Sequence, residues 1–359
     1  MTNLQKIQAA LTPAGLDAIL LRGEKNRYYA TGFHSSAGMC VITEKEAFFV
    51  TDSRYIEAAH NKIHGFTIGQ NTLEMPEKSW LEQIIRDCGI TMLGFEDEET
   101  SYAGFEKLRK DVKAVLSPAQ QILRDLRAVK SPEEQDKLRR AQKLADGVFT
   151  ELLGFIKPGM TEKRVAAEIT YRLLLAGAEG NSFDPIVVGG ANSSMPHGVP
   201  GDYVLQKGDF LTMDFGCLLE GYCSDMTRTV AIGEPSDEMR KVYGIVLEAQ
   251  KAGIAAYRAG VKGCEVDAAA RKVISDAGYG AYFGHSFGHS LGLDIHESPN
   301  AAPSEQRALP AGAALSAEPG IYLPGKFGVR IEDVCIVTKD GCENITGSPK
   351  ELIVLYSSR

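Results

Sequence analysis

The chain has 359 residues, 44% of them apolar and 24% charged, with 39 basic against 47 acidic side chains. That length exceeds one typical core and suits two domains; the acidic balance disfavours nucleic acid or an anionic membrane surface as a main partner, since both need a basic face. No apolar run approaches the ~18 residues of a membrane span, and the start M-T-N-L-Q-K-I-Q-A-A-L-T has no signal-peptide core. Seven cysteines without a C-x-x-C pair read as reduced, mostly buried thiols, so a cytoplasmic protein is expected.

In chain order, Asp17–Arg22 and Glu46–Thr51 are short apolar runs rich in β-favouring residues, and helical patterns follow at Tyr55–Lys62, Ser79–Cys88 and Tyr102–Val112. Residues 1–125 therefore read as a mixed α/β domain, with no grouping of candidate catalytic residues. Residues 126–131 read as a linker. Ser131-Pro132-Glu133-Glu134 then places serine as N-cap, proline at the first helical position and glutamate at the third, which starts a second domain over 132–359.

In that second domain one order of elements occurs twice. Amphipathic helices at about 132–154 and 161–177 precede a β-rich segment at 184–232, and helices at about 236–258 and 264–277 precede another at 281–357. Thr161 and Ser236 stand where N-caps belong. The expectation is a duplicated helix-helix-sheet unit.

Each sheet segment carries a pair of acids. If Asp209–Ile232 folds as a hairpin centred between Leu219 and Glu220, residues whose numbers sum to 439 face each other, among them Asp214 and Asp225. A hairpin centred on Gly325 pairs numbers that sum to 650, among them Glu318 and Glu332. Residues directly opposed on one face have Cβ atoms about 5 Å apart. Any one of these acids alone reads as an exposed strand charge. Their neighbours argue otherwise: Asp214 sits among Phe210, Leu211, Met213 and Phe215, and Glu332 among Val329, Ile331 and Val334. Carboxylates in apolar strands are seldom left unpaired, and four facing one another call for about two divalent cations.

Gly288-His289-Ser290-Leu291-Gly292 fits the G-x-S-x-G elbow of serine hydrolases. That chemistry needs a histidine well downstream of the serine, and only His296 follows Ser290. His285 and His289 are four apart without an H-E-x-x-H, and their glycine-rich surroundings suit strand or loop, where both point to one side. One of them can join the carboxylates as a nitrogen ligand, although a core histidine is the default for either. A set of carboxylates with one imidazole suits manganese, with cobalt or zinc able to substitute, and hydrolysis is the expected chemistry.

Met213-Asp-Phe-Gly216, Ser224-Asp-Met-Thr-Arg-Thr229, Gly288-His289-Ser-Leu-Gly292 with His296-Glu297, Ala317-Glu-Pro-Gly320 and Val329-Arg-Ile-Glu-Asp333 resemble, in order and spacing, the motifs of the pita-bread metallopeptidases. Asn26-Arg-Tyr-Tyr-Ala-Thr-Gly-Phe33, Asp52-Ser-Arg-Tyr55 and Leu126-Arg-Ala-Val-Lys-Ser131 extend the resemblance through a creatinase-like N-terminal domain and linker, as in the aminopeptidase P and prolidase branch. The resemblance implies an α/β (α+β) chain whose catalytic domain has a curved antiparallel sheet, and a homodimer. It implies two metal ions on Asp214, Asp225, His289, Glu318 and Glu332, with Asp225 and Glu332 bridging. Glu318 would shuttle the proton of a bridging hydroxide, His197 and His296 would steady substrate and oxyanion, and His285 and Arg330 would line the cleft. Imidazolium and guanidinium groups near the acids are expected to keep their charge. The implied substrate is a peptide with proline second. Metal-free creatinase-like hydrolysis and catalytically silent peptide binding are the alternatives. Ser290, where the pattern often has glycine, is expected to narrow the cleft.

Overall fold

The run at Asp17–Arg22 forms the strand Ala18–Leu21, buried throughout and paired antiparallel to Met39–Thr43 and parallel to Met92–Phe95. Burial on both faces explains why its sequence is continuously apolar rather than alternating. The computed structural model describes residues 1–356, which divide into two units, one of residues 1–127 and one beginning at Ala128. In the first, six strands lie in the order Thr67–Gln70, Ala47–Thr51, Met39–Thr43, Ala18–Leu21, Met92–Phe95, Val115–Pro118. The expected helices occur as Ile56–Lys62, Glu77–Asp87 and Tyr102–Asp111. Asn26 belongs to the scaffold of this unit: with the Gly23 amide it donates to buried Glu96, at 2.7 and 2.8 Å, and its Oδ1 accepts from Arg127 at 2.9 Å. The segment read as a linker is partly helical, because Gln120–Ala128 runs into it.

In the second unit the capping box at Ser131 starts the helix Pro132–Phe155, and Thr161 and Ser236 cap Glu162–Leu175 and Asp237–Ala256. A fourth helix is Gly263–Asp276. Each helix pair covers its own strands. Phe149, Leu152 and Ile169 pack with Leu211, Met213 and Val230; Val246, Val266 and Ile274 pack with Leu315, Ile321 and Val329. Strand alternation then sorts the faces. On Asp209–Phe215 the odd residues Leu211, Met213 and Phe215 meet the first helix pair. On Ala314–Ala317, Gly320–Leu323, Phe327–Arg330 and Asp333–Val337 the odd residues meet the second. Asp214, Glu318, Arg330 and Glu332 carry even numbers, and all four line one cavity.

The halves are joined beneath that cavity by Arg228 and Asp333, whose side chains are 1% and 0% exposed and 2.7 Å apart. Arg228 also donates to the carbonyls of Glu332, Ser348 and Pro349, and Asp333 accepts from Gln250, Asn344 and Lys350. Burial pushes the Asp333 carboxyl up, but Arg228 and Lys350 outweigh it and hold the group below its ordinary value. A lowered carboxylate contributes stability above its unfolded pKa and loses it as pH falls through the folded one. Truncating one member of a buried pair costs about 3–5 kcal/mol. Arg228→Met is therefore expected to destabilise the protein by that order at pH 7, read from the denaturant midpoint. The deficit should narrow as pH falls and Asp333 takes up its proton; equal stability of variant and wild type at pH 7 would refute this role.

Candidate metal centre

The strands Asp209–Phe215 and Met226–Ile232 pair with numbers that sum to 441, so Thr227, not Asp225, stands opposite Asp214. The turn is Glu220-Gly221, with φ of 48° and 75°, and its centre falls one residue later than the expected one. Positive φ at both positions is the geometry of a two-residue hairpin loop, and non-glycine residues seldom adopt it. A shift of two in the sum keeps every residue on its face, so Asp225 becomes the diagonal neighbour of Asp214. Gly216 makes the approach possible: a Cβ there would lie 1.8 Å from the Ser224 carbonyl oxygen. The second hairpin has the expected register, a sum of 650 in both of its ladder segments. Glu318 and Glu332 fall in the gap between those segments. Their amides turn aside, to the carbonyls of Phe287 and Thr227.

His289 lies on the short strand Gly288–Ser290. Its Nδ1 is 3.2 Å from the Ser290 carbonyl, which can only accept, so Nδ1 carries the proton. Burial pushes this imidazole below its ordinary pKa and keeps it neutral. The Nε2 lone pair then faces Asp225 Oδ2 at 3.5 Å and Glu318 Oε1 at 3.3 Å. Three acceptors directed at one another repel unless a cation lies among them. Asp225, His289 and Glu332 each offer a ligand atom within 4.8 Å of the others. Asp214 Oδ1, Asp225 Oδ1 and Glu332 Oε1 are buried without a hydrogen-bond partner. The second oxygens of Asp214 and Glu332 are held, by Arg330 at 2.6 Å and by Thr227 at 2.7 Å, and Ser316 donates at 2.9 Å to Glu318 Oε1, the oxygen that faces His289. Orphaned carboxylate oxygens beside an imidazole lone pair, with no thiol present, fit hard or borderline divalent cations.

Burial raises the carboxyls of Asp225, Glu318 and Glu332, and repulsion from neighbouring carboxylates adds to the shift. Arg330 supplies the countercharge: burial opposes its charge, but Tyr322 and Asp214 hold it on. The imidazoles of His285 and His296 do not play that part. Burial lowers both His285 and His296, so the expectation that imidazolium persists beside the acids is corrected.

A cavity of about 570 Å³ is lined by the five candidate ligands and also by His197, His285, His296 and Arg330, so the fold brings together every candidate site residue. Ser290 is not among its walls. It is 0% exposed and donates to the Ala314 carbonyl at 2.9 Å, so it is neither a nucleophile nor a constriction of the cleft. The position beside it is also constrained, since a Cβ on Gly288 would meet the Ser316 carbonyl at 2.0 Å. Sequence reasoning missed Tyr322, Thr227 and Ser316. Tyr322 accepts from Arg330 and bonds His285 Nε2, both at 2.9 Å. The alternation that placed Glu318 and Arg330 on one face also placed Tyr322 there.

Residues 136–339 match the model of metallopeptidase family M24, and residues 3–129 match the creatinase/prolidase N-terminal domain. The chain belongs to metallopeptidase family M24. It is similar to the solved Xaa-Pro dipeptidase from Bacillus anthracis, at 42% identity over 98% of this chain and 99% of that one, with a TM-score of 0.95. It is also similar to the X-Pro aminopeptidase from Thermotoga maritima, at 36% identity over 96% and 99% of the two chains, with a TM-score of 0.91. A Xaa-Pro dipeptidase from Pyrococcus horikoshii is 32% identical over 98% of each.

For this M24 metallopeptidase the raised carboxyls set a pH signature. Groups whose folded pKa is raised contribute stability at low pH and lose it as pH rises through the folded value. A bound cation cancels that loss and stabilises the folded state by mass action, about 2.7 kcal/mol at a hundredfold excess over Kd. The rise in melting temperature on adding manganese to metal-free protein should therefore grow as pH rises above the ordinary carboxylate range, and vanish in Glu332→Gln. An increment independent of pH would count against the carboxylate site.

Proposed function

We propose that the protein is a metal-dependent peptidase that hydrolyses the bond between an N-terminal residue and proline. The observation that carries this reading is the neutral His289 Nε2 facing Asp225 Oδ2 and Glu318 Oε1, beside buried oxygens of Asp214, Asp225 and Glu332 that have no partner among the described residues, within an M24 chain. Relatives named for Xaa-Pro cleavage supply the substrate class. Asp214, Asp225, His289, Glu318 and Glu332 would hold two divalent cations. Manganese is our assignment, from the oxygen-rich donor set. When bound, such a pair acidifies a water and polarises a carbonyl.

The chain's own groups account for the rest. Glu318, raised by burial and held by Ser316, suits the uptake of a proton from the attacking water and its return to the departing proline nitrogen. His197 and His296 line the cavity as donors for the substrate and the developing oxyanion. Arg330 donates to Asp214 and holds its carboxyl in place. Pro196, Val199, Pro200 and Ile295 give the cavity apolar walls suited to a pyrrolidine ring. The proline imide has no N–H, so a site that needs no amide donor from the substrate has a niche. A metal-free creatinase-like route leaves the orphaned oxygens without a role, and a silent binding protein would not need the proton-carrying Glu318.

We also propose a cytoplasmic homodimer. All seven cysteines are free thiols, which supports the compartment, and the family resemblance supports the dimer. Exhaustive chelation should abolish proline release and manganese should restore it. Glu318→Gln should lower kcat by about 10²–10⁴-fold. Release from Ala-Pro alone would define a dipeptidase, and release from Ala-Pro-Ala an aminopeptidase. Failure of manganese-loaded protein on both peptides would overturn the function.

A further inference from the structure

The irregular segment 283–287 carries His285 and leads into the His289 strand, yet no ladder satisfies its backbone. Buried backbone groups need partners from elsewhere. The helix Gly263–Asp276 supplies them. Arg271 donates through Nη1 to the Phe283 carbonyl at 2.9 Å and through Nη2 to the His285 carbonyl at 2.8 Å. Its Nε and Nη2 also donate to the two oxygens of Asp267, one turn earlier, at 2.7 and 2.9 Å. Asp267 is 1% exposed, and its Oδ1 accepts the Phe287 amide at 2.9 Å. The guanidinium lies 4.2 Å over the Phe283 ring, whose edge meets His285 with centroids 5.0 Å apart at 87°.

From His285 the contacts continue inward. The ring bonds the Ser286 carbonyl through Nδ1 at 2.9 Å, so Nε2 is the acceptor and Tyr322 its donor. Tyr322 accepts from Arg330, and Arg330 donates to Asp214. One line of contacts thus runs from a partly exposed helix side chain to a candidate ligand.

We infer that Arg271, braced by Asp267, is a positioning residue: it sets the loop and ring of His285, and with them the Nε2 that accepts from Tyr322. This rests on the peptidase reading above. The ordinary reading is an i,i+4 pair that supports its own helix. Such a pair has no need of the loop, whereas here Arg271 donates to two of its carbonyls and Asp267 accepts its amide. Only a planar fork can hold two carbonyls and a carboxylate while stacking on a ring, so lysine cannot replace it.

The test uses Arg271→Met, which keeps the stem over Phe283 and removes every donor, and Arg271→Lys, which keeps the charge. In metal-free protein labelled with 15N-histidine, His285, assigned by its loss in His285→Ala, should show one tautomer with Nδ1 protonated. Arg271→Met should average or broaden that signal, with Arg271→Lys falling between; should the methionine variant melt early, the lysine variant carries the reading. In manganese-loaded enzyme kcat should fall about 10–100-fold with metal affinity unchanged, the size typical of lost outer partners of a metal site. In the His285→Ala background Arg271→Met should add no further loss. An unaltered His285 signal overturns the inference, as does an equal loss in both backgrounds or a loss that tracks metal content. Should the wild type cleave no Xaa-Pro peptide, the function fails while the NMR result still decides the clamp.

Discussion

Carboxylates that face one another away from water repel, and the second unit is organised around that constraint. Asp214, Asp225, Glu318 and Glu332 reach one cavity, three of them with an oxygen that finds no donor in the protein. The protein supplies a donor to the other oxygen of Asp214 and Glu332, through Arg330 and Thr227, and the remaining oxygens are left for a cation. A half-satisfied buried network of this kind is costly as a structural device and sensible as a binding site.

The apolar cores make this arrangement possible. Each half commits one face of its strands to a helix pair, which leaves the other face for polar groups. Burial on both faces then raises the carboxyls of Asp225, Glu318 and Glu332 and makes His289 a neutral candidate ligand rather than an ion-pair partner. The Arg228–Asp333 pair has a different character. It is closed, with every partner present, and it ties the strand of Thr227 to that of Glu332 directly behind the site. Charge that is structural is compensated by the protein, and charge that is functional is left open.

Around the acids the geometry is held by side chains of modest chemical interest. Ser316 bonds Glu318 and also accepts the His289 amide at 3.0 Å, and Tyr322 joins Arg330 to His285. Arg271 and Asp267 complete the irregular loop where no strand partner exists. Orientation of ligands by outer hydrogen bonds is a general requirement of metal sites, because a displacement of a fraction of an ångström changes coordination.

Local pattern carried a large part of the outcome. Helix starts at Ser131, Thr161 and Ser236 follow from short-range capping chemistry, and the face shared by Glu318 and Glu332 follows from period-two alternation about a turn at Gly325. The Asp214–Asp225 register was two off in its sum because the turn holds Glu220 at positive φ, a conformation its side chain does not advertise. Parity survived, so the face was still correct. What composition and spacing could not supply is burial and long-range pairing. Arg228 meets Asp333 from 105 residues away, Ser290 turns from the cavity to the Ala314 carbonyl, and burial lowers His285 and His296 rather than leaving them charged. Those outcomes depend on how much water packing excludes around each group, a property of the assembled layers and of no single segment.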